Sequence, residues 1–280
     1  MLLSNSKIII TPNAIHVTYF EKAYAYDFTR KKRRQRNREI SPRNGNNLLS
    51  LWRASKQVKL ILESNTRPEA FFVGATAKPL FVTLTFAENV TDIARANKEF
   101  KRFTQRLNRA IGLQQKQLGF SETQPLHYLV VPEFQKRGAV HYHIIYFAFP
   151  IQKDTNKFLS KIWGHGFTFN ATIKNPNHLK NYVTKYFLKS QSDPRLKGKK
   201  HYFCSKNILR PNLSRSQAQN NAIINILQNS EAYQKEYLKD GKLVLYSVYD
   251  GHPLINLLYK NKEAYKHESG LRPKQKEFKF

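Results

Sequence analysis

Apolar residues in the central part of the chain alternate between the spacing of β-strands and that of helices. β-branched and aromatic residues dominate some segments, whereas others repeat their apolar residues every three or four positions. These segments predict, in order, a strand at 81–86, a helix from Thr91 to Ile111, a hairpin at 126–149, a helix at 156–163, a strand at 167–172 and a helix at 181–189. The predicted order is therefore β-α-β-β-α-β-α.

This order is typical of an α+β fold, in which helices lie on one side of an antiparallel, ferredoxin-like (RRM-like) sheet. The expected central domain is residues 78–212. Residues 1–77 are expected to add a hairpin, with His16 on its surface, followed by a basic arm and a helix. Residues 213–280 are expected to add a helix, a second hairpin with Asp240 and Gly241 as its turn, and a basic tail.

The central hairpin carries two histidines and a glutamate that could share a site. A three-residue loop ending at Gly138 places Glu133 opposite His141, because cross-strand partners have Cβ atoms about 5 Å apart. His141 and His143 share one face, since side chains alternate along a strand. Mixed nitrogen and oxygen ligands with open positions suit a catalytic divalent ion. A lone His-x-His pair on a strand is, however, more often structural or incidental.

The helix predicted at 181–189 carries two tyrosines on one face. Tyr182 and Tyr186 are four residues apart, and Lys185 and Lys189 each follow a tyrosine by three residues. A phenol is a weak nucleophile at neutral pH because its pKa is near 10, but a metal ion or nearby cations lower that barrier. By itself, the pattern also fits an amphipathic helix with two core tyrosines.

Three motifs in this order resemble those of the HUH endonuclease superfamily. Residues 81–86 resemble its first motif, His141-Tyr142-His143 the histidine motif, and residues 182–186 the tyrosine motif in its two-tyrosine form. Within the superfamily, the chain is most similar to rolling-circle replication initiators, specifically the gene II-like replication-associated proteins of bacteria and their phages. The resemblance covers about residues 78–212 and implies the HUH endonuclease fold.

The resemblance also implies an activity and a site. Glu133, His141 and His143 would hold Mg²⁺ or Mn²⁺, and Tyr182 would attack the scissile phosphate of single-stranded origin DNA. The products would be a 5′-phosphotyrosine and a free 3′-hydroxyl that primes synthesis. Tyr186 would perform the second transfer, and Lys185 would offset negative charge. Single-tyrosine members of the family carry Tyr-x-x-Lys, a spacing that both Tyr182 with Lys185 and Tyr186 with Lys189 satisfy. The order in which the two tyrosines act therefore stays open.

Composition and charge fit a protein that binds nucleic acid. The 280 residues carry a net charge of +29, and seven of the nine residues at 30–38 are basic. Candidate DNA-binding residues are Arg30, Lys31, Lys32, Arg33, Arg34, Arg36, Lys189, Lys199 and Lys200. Cys204 is the only cysteine, which excludes an internal disulfide and fits the cytoplasm of a bacterial host. No apolar run is long enough to span a membrane, and no Walker A motif indicates an ATP-driven helicase, so helicase and polymerase are expected from the host.

Two other functions remain open from the sequence. One is a relaxase or a single-strand transposase of the same superfamily. The other is a non-enzymatic, RRM-like module that binds RNA or DNA by stacking bases on aromatic residues of its strands. Such a module does not need a His-x-His pair opposed by a glutamate.

Overall fold

The computed structural model describes residues 2–26, 47–66, 77–151, 153–173, 183, 193–196, 199–214, 216–239 and 242–259. Its strands are β1 (Leu2–Ile10), β2 (Ala14–Tyr26), β3 (Ala77–Thr85), β4 (Tyr128–Phe134), β5 (Val140–Pro150), β6 (Thr168–Thr172), β7 (Phe203–Cys204), β8 (Asn212–Ser214), β9 (Tyr233–Lys239) and β10 (Lys242–Asp250). Its helices are α1 (Asn47–Ser64), α2 (Ile93–Gln117), α3 (Thr155–Trp163), α4 (Gln217–Leu227) and α5 (Leu254–Leu258), with a 3₁₀ turn at Pro194–Leu196. None of these helices is both long and apolar enough to cross a bilayer.

The chain forms two compact units, each with its own antiparallel sheet. Within the described residues, one unit combines the chain up to Trp52 with the chain from Arg210 onward, and the other runs from Arg53 to Leu209. The α+β class is therefore confirmed. The predicted N-terminal and C-terminal hairpins are also present, but they belong to a single sheet rather than to separate additions.

The sheet of the first unit has the strand order β8-β1-β2-β10-β9. β2 pairs with both β1 and β10, so the two ends of the chain share a ladder of hydrogen bonds. Ile8, Ile15 and Val17 pack with Ile223 and Leu227 of α4 beneath it.

The predicted position of His16 is wrong. Only 6% of this residue is exposed, and its Nδ1 lies 2.6 Å from the hydroxyl oxygen of Tyr246. The strand that buries it, β10, lies some 230 residues away along the chain, so the sequence of the hairpin alone gives no sign of the burial.

The sheet of the second unit has the strand order β6-β3-β5-β4-β7, and all its pairs are antiparallel. The predicted succession of strand, helix, hairpin, helix and strand is confirmed from β3 to β6. The strand that carries both histidines, β5, lies at the centre of this sheet, between β3 and β4.

Both faces of this sheet are covered, which corrects the expectation that helices lie on one side. Alternate residues of β3, β4 and β5 pack against α2 and α3 on the first face; they include Leu80, Val82, Leu84, Val130, Tyr142 and Ile144. On the second face, Phe81, Leu129, Val131 and Ile145 pack with Val58, Ile61 and Leu62 of α1. Central strands that are apolar on both faces need a layer on each side.

Helices α2 and α3 are fixed at their ends by specific polar contacts. The N-cap of α2 is Asp92, whose carboxylate accepts hydrogen bonds from the backbone of Ala94 and Arg95, and not the expected Thr91. Arg106 of α2 donates to the carbonyls of Ile162 and Trp163 and so satisfies the C-terminal turn of α3.

Candidate active site on the central hairpin

The hairpin between β4 and β5 has the predicted loop and register. The amide of Gln135 donates to the carbonyl of Ala139 at 2.8 Å, which leaves three residues in the loop. The last of them, Gly138, has φ +92°, a conformation that glycine adopts without strain. Glu133 pairs with His141 across the two strands, as predicted.

Within this register, the carboxylate of Glu133 contacts the diagonal histidine rather than the opposite one. Its Oε2 lies 2.8 Å from Nε2 of His143, and the two residues are only 7% and 8% exposed. A hydrogen bond between an ionised carboxylate and an imidazole is strong in such a buried position. The structure therefore brings Glu133 and His143 together as one pair.

Two residues of β3 hold His143 from its other side. Oγ1 of Thr83 lies 3.2 Å from Nδ1 of His143, and the ring of Phe81 stacks on the imidazole at 5.8 Å between centroids. The roles of the two imidazole nitrogens depend on the tautomer: with its hydrogen on Nε2, His143 donates to Glu133, and with its hydrogen on Nδ1 it donates to Thr83 and presents the lone pair of Nε2. Neither Thr83 nor Phe81 was among the predicted site residues.

His141 stands beside this pair. Its ring centroid is 5.9 Å from that of His143, and the two rings are nearly perpendicular. Among the described residues, no group of three or more His, Cys, Asp or Glu side chains is arranged to hold a metal ion. The three predicted ligands thus lie on one patch, with a hydrogen bond between Glu133 and His143 and a ring contact between His143 and His141.

A divalent ion would have to take the place of the hydrogen between the two donor atoms of this pair. Two ligands at right angles on an octahedral Mg²⁺, each about 2.1 Å from it, lie about 3 Å apart. The 2.8 Å between Nε2 of His143 and Oε2 of Glu133 is close to that separation.

The end of β3 and the loop after it are held beside the site by side chains that donate hydrogen bonds to their backbone carbonyls. The guanidinium of Arg137, at the tip of the hairpin, donates to the carbonyls of Phe86 and Ala87. Trp163 donates from Nε1 to the carbonyl of Thr85 at 3.0 Å. These bonds fix the end of β3, whose Thr85 pairs with His141.

Residues 164–166 pack against the same C-terminal end of β3. The amide of Ala87 donates to the carbonyl of His165, and a Cβ at Gly166 would meet the amide nitrogen of Ala87 at 2.4 Å. His165 lies in this turn, and its Nε2 lies 3.3 Å from Oε2 of Glu99.

The tyrosines of β5 are unsuited to nucleophilic attack. Tyr142, between the two histidines, faces the opposite side of the sheet, where its hydroxyl donates to Oδ1 of Asn97 at 2.8 Å. Burial raises the pKa of Tyr142 and of Tyr146 well above the usual value for a phenol. Both phenols therefore remain protonated and enclosed.

The predicted nucleophiles lie outside the described residues. This applies to Tyr182, Lys185, Tyr186 and Lys189. Within the segment predicted as their helix, Val183 is described; it is helical, buried, and part of the apolar cluster on the face of the sheet that carries the histidines.

The predicted DNA contacts are described only in part. Lys199 and Lys200 are exposed, whereas residues 27–46, with the whole basic arm, lie outside the described residues. Close to the two lysines in sequence, Arg195 bonds to Asp193 and lies 4.0 Å above the ring of Phe134. The guanidinium of Arg195 holds the pKa of the Asp193 carboxyl below its usual range.

Comparison with known protein families identifies this part of the chain. Residues 79–191 match the family model of replication-associated proteins of the ORF2 and gene II protein type. The family resemblance predicted from the sequence is confirmed. The match begins in β3 and includes the whole histidine hairpin. The match associates this part of the chain with replication. No curated protein and no solved structure matches the chain.

Proposed function

We propose that the protein initiates rolling-circle replication by nicking single-stranded origin DNA at a specific site and transferring the strand through a phosphotyrosine. One observation carries this proposal. In a chain that matches a replication-associated family, a buried carboxylate and an imidazole meet on the central hairpin with their donor atoms 2.8 Å apart. A purely structural histidine on a strand does not require a buried carboxylate as partner.

In this proposal, Glu133, His143 and His141 hold Mg²⁺ or Mn²⁺, which would act as a Lewis acid toward the scissile phosphate. Thr83 and Phe81 have a positioning role. Thr83 fixes the orientation of the imidazole of His143 through a hydrogen bond, as the partners of metal-binding histidines do, and Phe81 fixes it by stacking.

The covalent step belongs to the tyrosines at 182 and 186. The phenol oxygen of Tyr182 attacks the phosphorus, its proton passes to solvent or a nearby base, and the bond to O3′ breaks. The products are a 5′-phosphotyrosine and a free 3′-hydroxyl. Lys185 offsets the charge that develops on the phosphate. Tyr186 makes the second transfer, which ends the cycle.

The partner in this proposal is single-stranded origin DNA, bound first through its phosphates. The net charge of +29 favours any polyanion, and the basic residues at 30–38 add a dense block of charge. The free 3′-hydroxyl would serve the polymerase of a bacterial host, with a host helicase opening the duplex.

The first test is nicking of end-labelled, single-stranded origin DNA with and without Mg²⁺. We expect His143→Ala, His141→Ala and Glu133→Gln to lower the nicking rate by more than about 100-fold, since loss of a hydrogen-bond partner of a metal ligand already costs about 10- to 100-fold. DNA binding without metal should survive, because none of these residues carries the positive charge that attracts the strand.

Tyr142→Phe is the matched control. Tyr142 lies between the two histidines in sequence, but its side chain faces α2. The variant should therefore nick DNA at nearly the rate of the unsubstituted protein. Nearly normal nicking by His143→Ala at saturating Mg²⁺ would rule out the proposed metal site.

A further inference from the structure

Two phenylalanines at the edge strand β6 are exposed, one within the strand and one directly before it. Phe167 is 73% and Phe169 is 58% exposed, whereas most other phenylalanines among the described residues of this unit are buried. Large apolar side chains that stand together on a surface often mark a binding site. Neither ring contributes to the apolar clusters of the sheet.

The register places both rings on the face of the sheet that carries the histidines. Phe169 pairs with Thr83, and Thr83 pairs with His143. The amide of Thr85 donates to the carbonyl of Phe167, and Thr85 pairs with His141. Because side chains alternate along a strand, Phe167 and Phe169 point to the same side.

One strand, β3, separates these rings from the histidines of β5. Among the described strand residues, Thr83 and Thr85 of β3 lie between the two rows, and neighbouring strands are about 4.8 Å apart, so each phenylalanine lies about 10 Å from a histidine. Along β6, the two rings are separated by about 6.7 Å. That separation exceeds the roughly 3.4 Å between stacked bases and suits two bases that are spread apart.

Positive charge accompanies this edge of the sheet. Lys153, Lys157 and Lys161 are exposed, on or directly before α3. Asn156 of the same helix accepts hydrogen bonds from Thr168 and Asn170 of β6, so the helix lies against the edge strand. A strand of nucleic acid needs such phosphate contacts beside aromatic surfaces on which its bases stack.

We propose that Phe167 and Phe169 form a stacking platform for two successive bases of single-stranded DNA. Each ring takes the face of one base, and the phosphates pass around the edge strand β6 toward the lysines of α3, which covers the opposite face of the sheet. The platform would hold the strand across the histidine face of the sheet. Placement of a scissile phosphate at His141 and His143 rests on the proposed function, whereas base stacking does not.

The test uses the full chain without metal and a fluorescein-labelled oligothymidine of about 15 nucleotides, a length within the range that one single-strand-binding domain covers, with binding followed by fluorescence anisotropy. Phe167→Ala and Phe169→Ala should each weaken binding by about 5-fold to 150-fold, the effect of losing one stacked base. Phe→Trp at either position should keep the affinity, whereas Phe→Leu, which keeps an apolar side chain without a ring, should not.

Tyr233→Ala is the matched control, since Tyr233 is a 64% exposed aromatic on an edge strand of the other unit. It should leave the affinity unchanged. The slope of affinity against salt should also stay constant in the phenylalanine variants, because they remove no charge. Circular dichroism checks folding, and Phe→Leu provides a second variant of similar volume.

The outcomes separate this proposal from the proposed function. Affinities of both alanine variants within about twofold of the unsubstituted protein would overturn the platform, even if nicking is normal, because a lost stacking contact costs more than that. The platform would also be overturned if the variants changed only the oligomeric state, because the two rings would then form a contact between copies of the chain. Loss of binding in the alanine variants, with no nicking by the unsubstituted protein, would support the platform and reject the proposed function.

Discussion

At the scale of single residues, the two buried tyrosines of β5 differ in what their hydroxyls contact. That of Tyr142 donates to Asn97, whereas that of Tyr146 is buried without a hydrogen-bond partner among the described residues. A satisfied hydrogen bond contributes about 1 kcal/mol, and an unsatisfied buried group costs about 1–3 kcal/mol. Tyr142→Phe should therefore lower the free energy of unfolding by about 1 kcal/mol, and Tyr146→Phe should leave it unchanged or raise it.

Urea unfolding at neutral pH measures this difference, and each variant is the control for the other. The pH dependence gives a second measure. Burial raises the pKa of both phenols above the value of about 10 in an unfolded chain. Stability from the protonated phenols is thus present below about pH 10 and is lost as pH rises beyond it, and Tyr146→Phe should reduce that loss. Equal destabilisation by both substitutions would contradict this account.

Sequence reasoning reached some residues of the site and missed others for clear reasons. A three-residue loop fixes the register, so the pairing of Glu133 with His141 could be predicted. The bond from Glu133 to His143 depends on side-chain rotamers, which the register does not determine. Thr83 reaches His143 because β3 pairs with β5, a contact between residues 60 positions apart in the chain.

At the scale of elements, the turn from α3 to β6 depends on Gly166. Its φ is +147°, and a Cβ there would lie 2.4 Å from both the carbonyl of Thr85 and the amide of Ala87. Backbone strain and a clash with backbone atoms should together cost more than about 3 kcal/mol in Gly166→Ala. Thermal or urea unfolding measures this loss.

Gly164 in the same turn is the matched control. It also has a positive φ, +68°, but apart from its chain neighbours no described residue has an atom within 4 Å of the position of its Cβ. Gly164→Ala should cost only about 1 kcal/mol. If both substitutions cost the same, close packing of this turn against β3 is not what requires Gly166.

Most elements of the second unit could be predicted, but their surroundings could not. Periodicity indicated α2 correctly, yet Thr91 and Asp92 are adjacent and both suit an N-cap, so residue preference did not decide between them. The helix α1 was expected among the N-terminal additions. The spacing of its apolar residues predicts that one side of the helix is buried. It does not predict that this side packs on the histidine-bearing face of the central sheet.

At the scale of the whole molecule, the pairing of the two ends of the chain could not be predicted. β1 contacts β8 and β2 contacts β10 across roughly 200 residues or more, and no local signal marks such partners. Net charge, in contrast, is a property of the whole sequence and needs no contacts. Its consequence for DNA binding can be tested directly.

Affinity for single-stranded DNA should fall steeply with salt, since each neutralised phosphate adds about 0.7 to the slope of log affinity against log salt. Replacing residues 30–38 with a neutral segment of equal length removes seven basic side chains and should reduce that slope by up to about 5. Lys199→Gln with Lys200→Gln, at two exposed positions, should reduce it by about 1.4. An unchanged slope would show that the arm does not contact phosphates.

The central claim is that a tyrosine at 182 or 186 forms a covalent bond to DNA at the site on the histidine hairpin. The most direct measurement is mass spectrometry of the peptide left on single-stranded origin DNA after incubation with Mg²⁺ and protease digestion. We predict a 5′-phosphotyrosine on Tyr182, its loss in Tyr182→Phe, and no adduct in His143→Ala. An adduct only on Tyr186 would reverse the order of the two tyrosines, and an adduct on neither would contradict the proposed mechanism.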